Sequence, residues 1–331
     1  MDHLANNSLN NVIQNLEHLN TPQAQQDYLE HLVETAKNAF KQQDEDACYQ
    51  IHSTLYQLYN LQICDPASAE AKVQHHPFLY QIRKTIEDLW LAELQYNYIT
   101  HTENADQHAS ISTRITQLCD TANLSEHPLF DFLANDATER QLHAFFMSDY
   151  ELNIRFFDLL ILALLNSPAT ARNEMIKNLW DESGRGDRKE THVKMFDDLM
   201  ENHRISAKDQ IKPHDSWQKF AGYNLFMLAS LNRQFYYYLM GIMAATEIID
   251  PKSYLKVQAS CERFGLDHWL YRYYSEHSEV DIEHAKGWLD YVIEPLAKEK
   301  DIKDDILMGA YYRLETCKNY YDSLYRYLKA V

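Results

Sequence analysis

Along most of the chain, apolar residues recur three and four positions apart, and no run alternates strictly between apolar and polar. That periodicity predicts helices and no half-buried strand, so the fold class is all-α. Thr21-Pro22 and Asp65-Pro66 each set a capping side chain before a proline suited to a first helical turn, and a long amphipathic pattern follows each. Phe145 to Leu165 is apolar on nearly every side, as expected of a central helix. Ser167-Pro168 opens the next helix, and Pro213 and Ser216 open a long one to about Ile249, ended by Asp250-Pro251. A further helix is broken by Pro295, and a tyrosine-rich one covers about Asp304 to Leu328. Of two polar stretches, His101 to Ser110 and Thr121 to Pro128, the second is taken as the boundary. It separates an N-terminal helical region, 1–122, from a second region, 123–331.

Several apolar faces are interrupted by metal-ligand types. In His277-x3-Asp281-x2-His284 the three side chains fall on successive turns of one helical face, within a stripe that includes Leu270, Tyr273, Tyr274, Trp288, Tyr291 and Val292. Two imidazoles and a carboxylate so placed suit a divalent transition metal, iron among the candidates. Met175 and Leu179 share a face with Glu182; Met195, Phe196 and Leu199 share one with His192; and Tyr236, Met240 and Met243 lead to Glu247. Between Glu182 and His192, Gly184-Arg185-Gly186 reads as a helix break, with Asp187 capping the helix after it, because no strand precedes it as a phosphate loop requires. That break lets Glu182 and His192 converge. The central helix carries Asp149, Glu151 and Asp158, any of which fits an inward position. His75 and His76 stand beside Pro77 without acidic partners at ligand spacing, so no metal role is expected of them.

Composition narrows the function. A net charge of −18 argues against nucleic acid and anionic membrane surfaces as partners, since both need a basic face. The longest apolar run, Leu159 to Leu165, is too short to span a bilayer, and no secretory leader pattern opens the chain, so the expectation is a soluble cytoplasmic protein. Cys48, Cys64, Cys119, Cys261 and Cys317 are scattered, as reduced core thiols are.

Taken in order, Asp181-Glu182-x-Gly184-x-Gly186-x5-His192, Glu247 and His277-x3-Asp281-x2-His284 resemble the signature of the heme-oxygenase-like diiron oxidases and oxygenases. The resemblance implies a heme-oxygenase-like helical bundle that holds two irons between core helices, takes dioxygen as co-substrate and draws on an external electron donor such as a reductase or small reductant. It makes Glu182, His192, Glu247, His277, Asp281 and His284 iron ligands, with Glu151, next but one to Asp149, as the first-helix ligand. The carboxylate before the Gly-x-Gly break resembles the streptozotocin-pathway N-oxygenase branch, without that enzyme's cupin domain. The implied reaction is N-hydroxylation of a small amine, amino acid or guanidine, and residues 1–122 would serve homodimerisation. Oxidative C–C cleavage, decarboxylation or desaturation by the same site is the alternative, and an iron-binding helical protein without a substrate is the reading outside enzymes. Arg155, Tyr273 and Tyr274 are candidates to surround the substrate.

Overall fold

The computed structural model describes Leu16 and residues 19–102, 109–203, 205 and 209–331. Among these there is no strand, in agreement with the helical periodicity. The chain forms two compact units, Met1–Glu103 with Lys219–Leu228, and Asn104–Gln218 with Ala229–Val331. The helix Ile111–Ala122, which the sequence boundary at 122 assigned to the N-terminal region, thus belongs to the second unit. There Glu294 accepts from the backbone N–H of Ser112 at 3.0 Å.

In the first unit, α1 (Pro22–Gln42) starts as its sequence predicts, Thr21 accepting from the N–H of Ala24 with proline in the first turn. It is followed by α2 (Glu45–Asn60) and α3 (Pro77–Thr102). Asp65-Pro66 does not open a long helix; the Asp65 side chain accepts from Ala67 N–H in a turn, a short 3-10 helix follows at Glu70–Val73, and the next α-helix begins at Pro77. His76 accepts from the N–H of Phe78 there. The interior pairs Tyr59 with the buried carboxylate of Glu87, and His52 meets the ring of Trp90 edge-on at 4.9 Å.

The second unit comprises α4 (Ile111–Ala122), α5 (Pro128–Asn135), α6 (Glu139–Leu164), α7 (Ala169–Glu182), α8 (His192–Glu201), part of α9 (Trp217–Leu231), α10 (Tyr236–Arg263), α11 (His268–Gly287), α12 (Glu294–Glu299) and α13 (Lys303–Ala330). Two prolines act otherwise than expected. The long helix opened near Ser216 is interrupted at 233–235, and α10 then runs through Pro251 to Arg263 instead of ending there. Proline inside a helix removes one N–H, here the donor that the carbonyl of Glu247 would otherwise receive, and buried packing along α10 sustains the helix despite that loss. Pro295 does not break α11 either; it lies in the first turn of α12, beyond a π-helical turn at Trp288–Ile293.

The unit is centred on α10, which packs against α11 on one side and α13 on another. α10 and α13 run parallel, and their backbones touch where both carry glycine. A Cβ on Gly241 would overlap the carbonyl of Ile306, and one on Gly309 the carbonyl of Tyr238. No side chain fits between them. Gly309→Ala gains about 1 kcal/mol of helix propensity but forces an overpacked contact at the upper end of the usual cost of about 1–3 kcal/mol, because the Cβ would meet backbone, so a net loss of about 2 kcal/mol is expected in urea unfolding. Unchanged stability would show that the two helices can separate freely.

Candidate metal centre

The C-terminal end of α7 lies along α11 in antiparallel fashion. Asn178, Asp181 and Glu182 share one face of α7, and His277, Asp281, His284 and Trp288 follow one another along α11 and the turn after it. The pairs match in reverse order: Glu182 Oε1 lies 3.8 Å from His277 Nε2, Asp181 Oδ2 lies 3.0 Å from His284 Nε2, and Trp288 Nε1–H donates to Asn178 Oδ1 at 2.9 Å. The last pair is buried and fixes how far one helix slides along the other.

Gly184 turns the chain from α7 to α8. Its φ is +69°, and a Cβ there would strike the backbone of Glu190 and Thr191. Asp187 accepts from Lys189 N–H inside the turn, and Thr191 caps α8, so the capping role expected of Asp187 falls four residues later. The convergence expected across the break does occur. Glu182 Oε2 lies 2.9 Å from Nδ1 of His192.

Two groups of buried ligand atoms result. Glu182, His192 and His277 form one, Glu247, Asp281 and His284 the other, and within each group the ligand atoms lie within 4.8 Å of one another. Bonds of about 2.0–2.2 Å to a shared ion place donors about 3–4 Å apart, which these separations permit. The nitrogen chemistry fits a metal as well. Neither ring nitrogen of His192 makes a well-aligned hydrogen bond, despite its closeness to Glu182. His277 donates from Nδ1 to the carbonyl of Tyr273 at 2.7 Å, which leaves Nε2 as the lone-pair nitrogen toward Glu182. His284 uses Nε2 on Asp181 and turns Nδ1 toward Glu247 and Asp281, 3.5 and 3.6 Å away.

Without metal, the buried carboxylates are balanced by protons. Burial disfavours a charged His192, but Glu182 outweighs it and raises its pKa to about 10. For His284 burial is likewise overcome, by Asp281, Glu247 and Asp181, and the pKa rises to about 11. Glu182 also pays a burial penalty, yet His192 and His277 hold its pKa well below the usual carboxylate range. Glu247 goes the other way: burial and then the neighbouring charge of Asp281 push it up to about 7.

Around the groups, Arg185 ties both halves together. Its Nε donates to Asp181 Oδ1 at 2.7 Å and its Nη2 reaches Glu276 Oε1 at 2.9 Å. Asp181 in turn holds His284, and Glu276 lies 3.8 Å from His192 Nε2. The sequence reading placed no role on Arg185 or Glu276. Glu276 carries no spacing signal, because adjacent helical residues point about 100° apart and only His277 fits the ligand period.

Six of the seven residues expected as ligands therefore come together, and Glu151 stands apart from both groups. The carboxylate that α6 presents to the site is Asp149, which lines a cavity bordered also by Glu182, Glu247, His277 and Asp281. Two residues along a helix turn the side chain by about 200°, so one of this pair must face away when the other faces in. The cavity occupies about 700 Å³ of space, including solvent at its mouth. Tyr273 lines it, while Tyr274 packs behind on Phe146, and Arg155 pairs with Asp158 on α6.

The sequence matches the haem-oxygenase-like iron-containing redox enzymes over residues 143–317, a span that takes in α6 to α13 and all six converging residues. The chain belongs to that family. It is thus an oxidoreductase of iron-dependent type with a heme-oxygenase-like all-α fold. Among solved structures it is similar to a CADD-like protein of unknown function from Nostoc punctiforme PCC 73102, at 17% identity and a TM-score of 0.51, covering 66% of this chain and 96% of that one. No curated protein matches it. Among the described residues, no helix is long and apolar enough to cross a membrane.

Two predictions follow from the proton balance and from Arg185. Metal binding at pH 8 must displace the protons of His192 and His284, so ferrous or manganous titration should release about two protons per loaded site pair, and affinity should rise with pH. Indicator-dye titration measures this, and proton-neutral uptake would contradict it. Replacing Arg185 by Gln loosens Asp181 and Glu276 together and should weaken metal binding about 10–100-fold, as read by competitive chelator titration.

Proposed function

We propose that the two groups hold a pair of iron ions, and that the protein is an oxygen-activating monooxygenase that N-hydroxylates a small amine, amino acid or guanidine. The observation that carries this reading is the arrangement of Glu182: it touches both His192 and His277 and borders a cavity that also holds the carboxylates of Asp149 and Asp250. Membership of an iron-containing redox family supports the metal. The acidic lining suits a nitrogen substrate that arrives as a cation.

Glu182, His192 and His277 on one side and Glu247, Asp281 and His284 on the other would hold the iron pair, which would supply the electrons for dioxygen activation. Glu182, Glu247 and Asp281 contribute the negative charge that offsets it. Asp181 and the carbonyl of Tyr273 hold His284 and His277 in the tautomers that present a lone pair inward. Phe145, Phe156 and Tyr254 line the adjoining space and give it apolar walls. Converting N–H to N–OH with release of water consumes two electrons beyond those of the substrate, so each turnover requires an external donor.

The test is oxygen consumption by the ferrous-reconstituted protein with a panel of amines, guanidines and amino acids, with products resolved by mass. The expected product is heavier than its substrate by one oxygen atom, retained on nitrogen. Only decarboxylated, desaturated or chain-cleaved products would favour the alternative oxidation instead, and iron uptake without substrate-dependent oxygen consumption would remove the enzymatic reading. Asp281→Ala should lower both iron occupancy and turnover.

A further inference from the structure

Each ligand group has a further carboxylate on its outer side. Beside Glu182, His192 and His277 it is Glu276, whose Oε1 lies 3.8 Å from Nε2 of His192. Beside Glu247, Asp281 and His284 it is Asp181, whose Oδ2 lies 3.0 Å from Nε2 of His284. Exposure falls along both lines: the side chains of Glu276 and Asp181 are 22% and 12% exposed, those of His192 and His284 1% and 2%. Each line continues inward through the other ring nitrogen. His192 Nδ1 lies 2.9 Å from Glu182 Oε2, and His284 Nδ1 lies 3.5 Å from Glu247 Oε2. Two ladders of metal-binding atoms therefore lead from the surface to the two groups.

One residue closes both ladders at their outer end. Arg185 donates from Nε to Asp181 Oδ1 and reaches Glu276 Oε1 with Nη2, although its own side chain is 51% exposed. Ion pairs so open to water are individually weak, and the carboxylate oxygens they engage are the atoms that a hard divalent cation takes first. Such a cation brings twice the charge of a guanidinium to the same oxygens. Behind the carboxylates, neither ring nitrogen of His192 makes a well-aligned hydrogen bond, so the next donor inward is open to receive it.

We propose that Asp181 and Glu276 form an entry port for divalent cations and that Arg185 is its gate. The guanidinium neutralises the two carboxylates until an incoming cation displaces it, and it returns behind the cation once that has passed inward. Arg185 lies in the turn between α7 and α8 with Gly184 and Gly186 on either side, so its side chain swings outward while the helices that carry the ligands stay in place. The cavity lined by Leu152 and Phe156 is the competing approach. This route rests on the reading of the two groups as metal sites and adds the path by which they fill. It also assigns the weaker binding expected of Arg185→Gln to faster release.

The test follows cobaltous ion, whose visible absorption reports on its ligands, as it enters the metal-free protein in a stopped-flow mixer; release is followed with excess chelator. Arg185→Gln should take up cobalt about 10-fold faster and release it about 100–1,000-fold faster, which together give the loss of affinity of about 10–100-fold. Arg185→Lys keeps the charge without the two-armed contact and should fall between. Glu276→Gln should slow by about 10-fold the uptake phase that His192→Ala removes, and leave the other phase unchanged. Leu152→Trp, which narrows the cavity, should alter neither phase. Far-UV circular dichroism checks that each variant is folded, and Arg185→Lys with Glu276→Gln decides the matter should Arg185→Gln fail to fold. Uptake and release indifferent to Arg185 and Glu276 overturn the port and leave the metal reading intact; slowing by Leu152→Trp would then place entry at the cavity. A wild-type protein that binds no cobalt overturns the metal reading and the port with it.

Discussion

Buried charge must be compensated, and that requirement determines how the second unit is put together. Glu182, Glu247 and Asp281 are buried carboxylates, and leaving any one of them uncompensated would cost several kcal/mol. They persist because α7, α8, α10 and α11 bring His192, His277 and His284 against them. The same carboxylates can be balanced by protons on the imidazoles of His192 and His284, whose pKa values they raise, or by divalent cations. Each helix is thereby bound to its neighbours through a group that tolerates little displacement.

Much of this was legible in the sequence because helical period is a strong constraint. His277, Asp281 and His284 had to share a face once they lay on one helix, and the apolar residues around them showed that the face was buried. Glu182 and His192 could be paired because a glycine break shortens the path between them. The choice between Asp149 and Glu151 was not open to the same argument, since Asp149 and Asn153 lie on one side of α6 and Glu151, Arg155 and Asp158 on the other, so no single polar face sets the phase. The proline signals failed for a related reason: Pro251 and Pro295 disfavour helix locally, but packing along α10 and a π turn after α11 outweigh a single missing N–H.

The residues that hold the ligands were the least visible. Asp181, Glu276 and Arg185 act through contacts between different elements, and no spacing within one helix encodes them. Arg313 and Asp250 illustrate the same limit. One is buried in a helix that reads as tyrosine-rich core, and the other stands before a proline and so reads as a helix end. Only the placement of α13 against α10 shows that they line one cavity.

That placement originates at the glycine contact. From Gly241 the chain climbs five residues to Thr246, and from Gly309 it climbs four to Arg313, so both side chains stand about 6–8 Å above one point where backbones meet. The crossing is a fixed datum, and side-chain repacking cannot shift it. Distance between the ligand groups and Arg313 is therefore a property of the main chain, whereas the opposite wall is made of replaceable side chains on α6. A change at Leu152 or Phe156 would therefore alter the width of the cavity and leave the spacing at its polar end as it is.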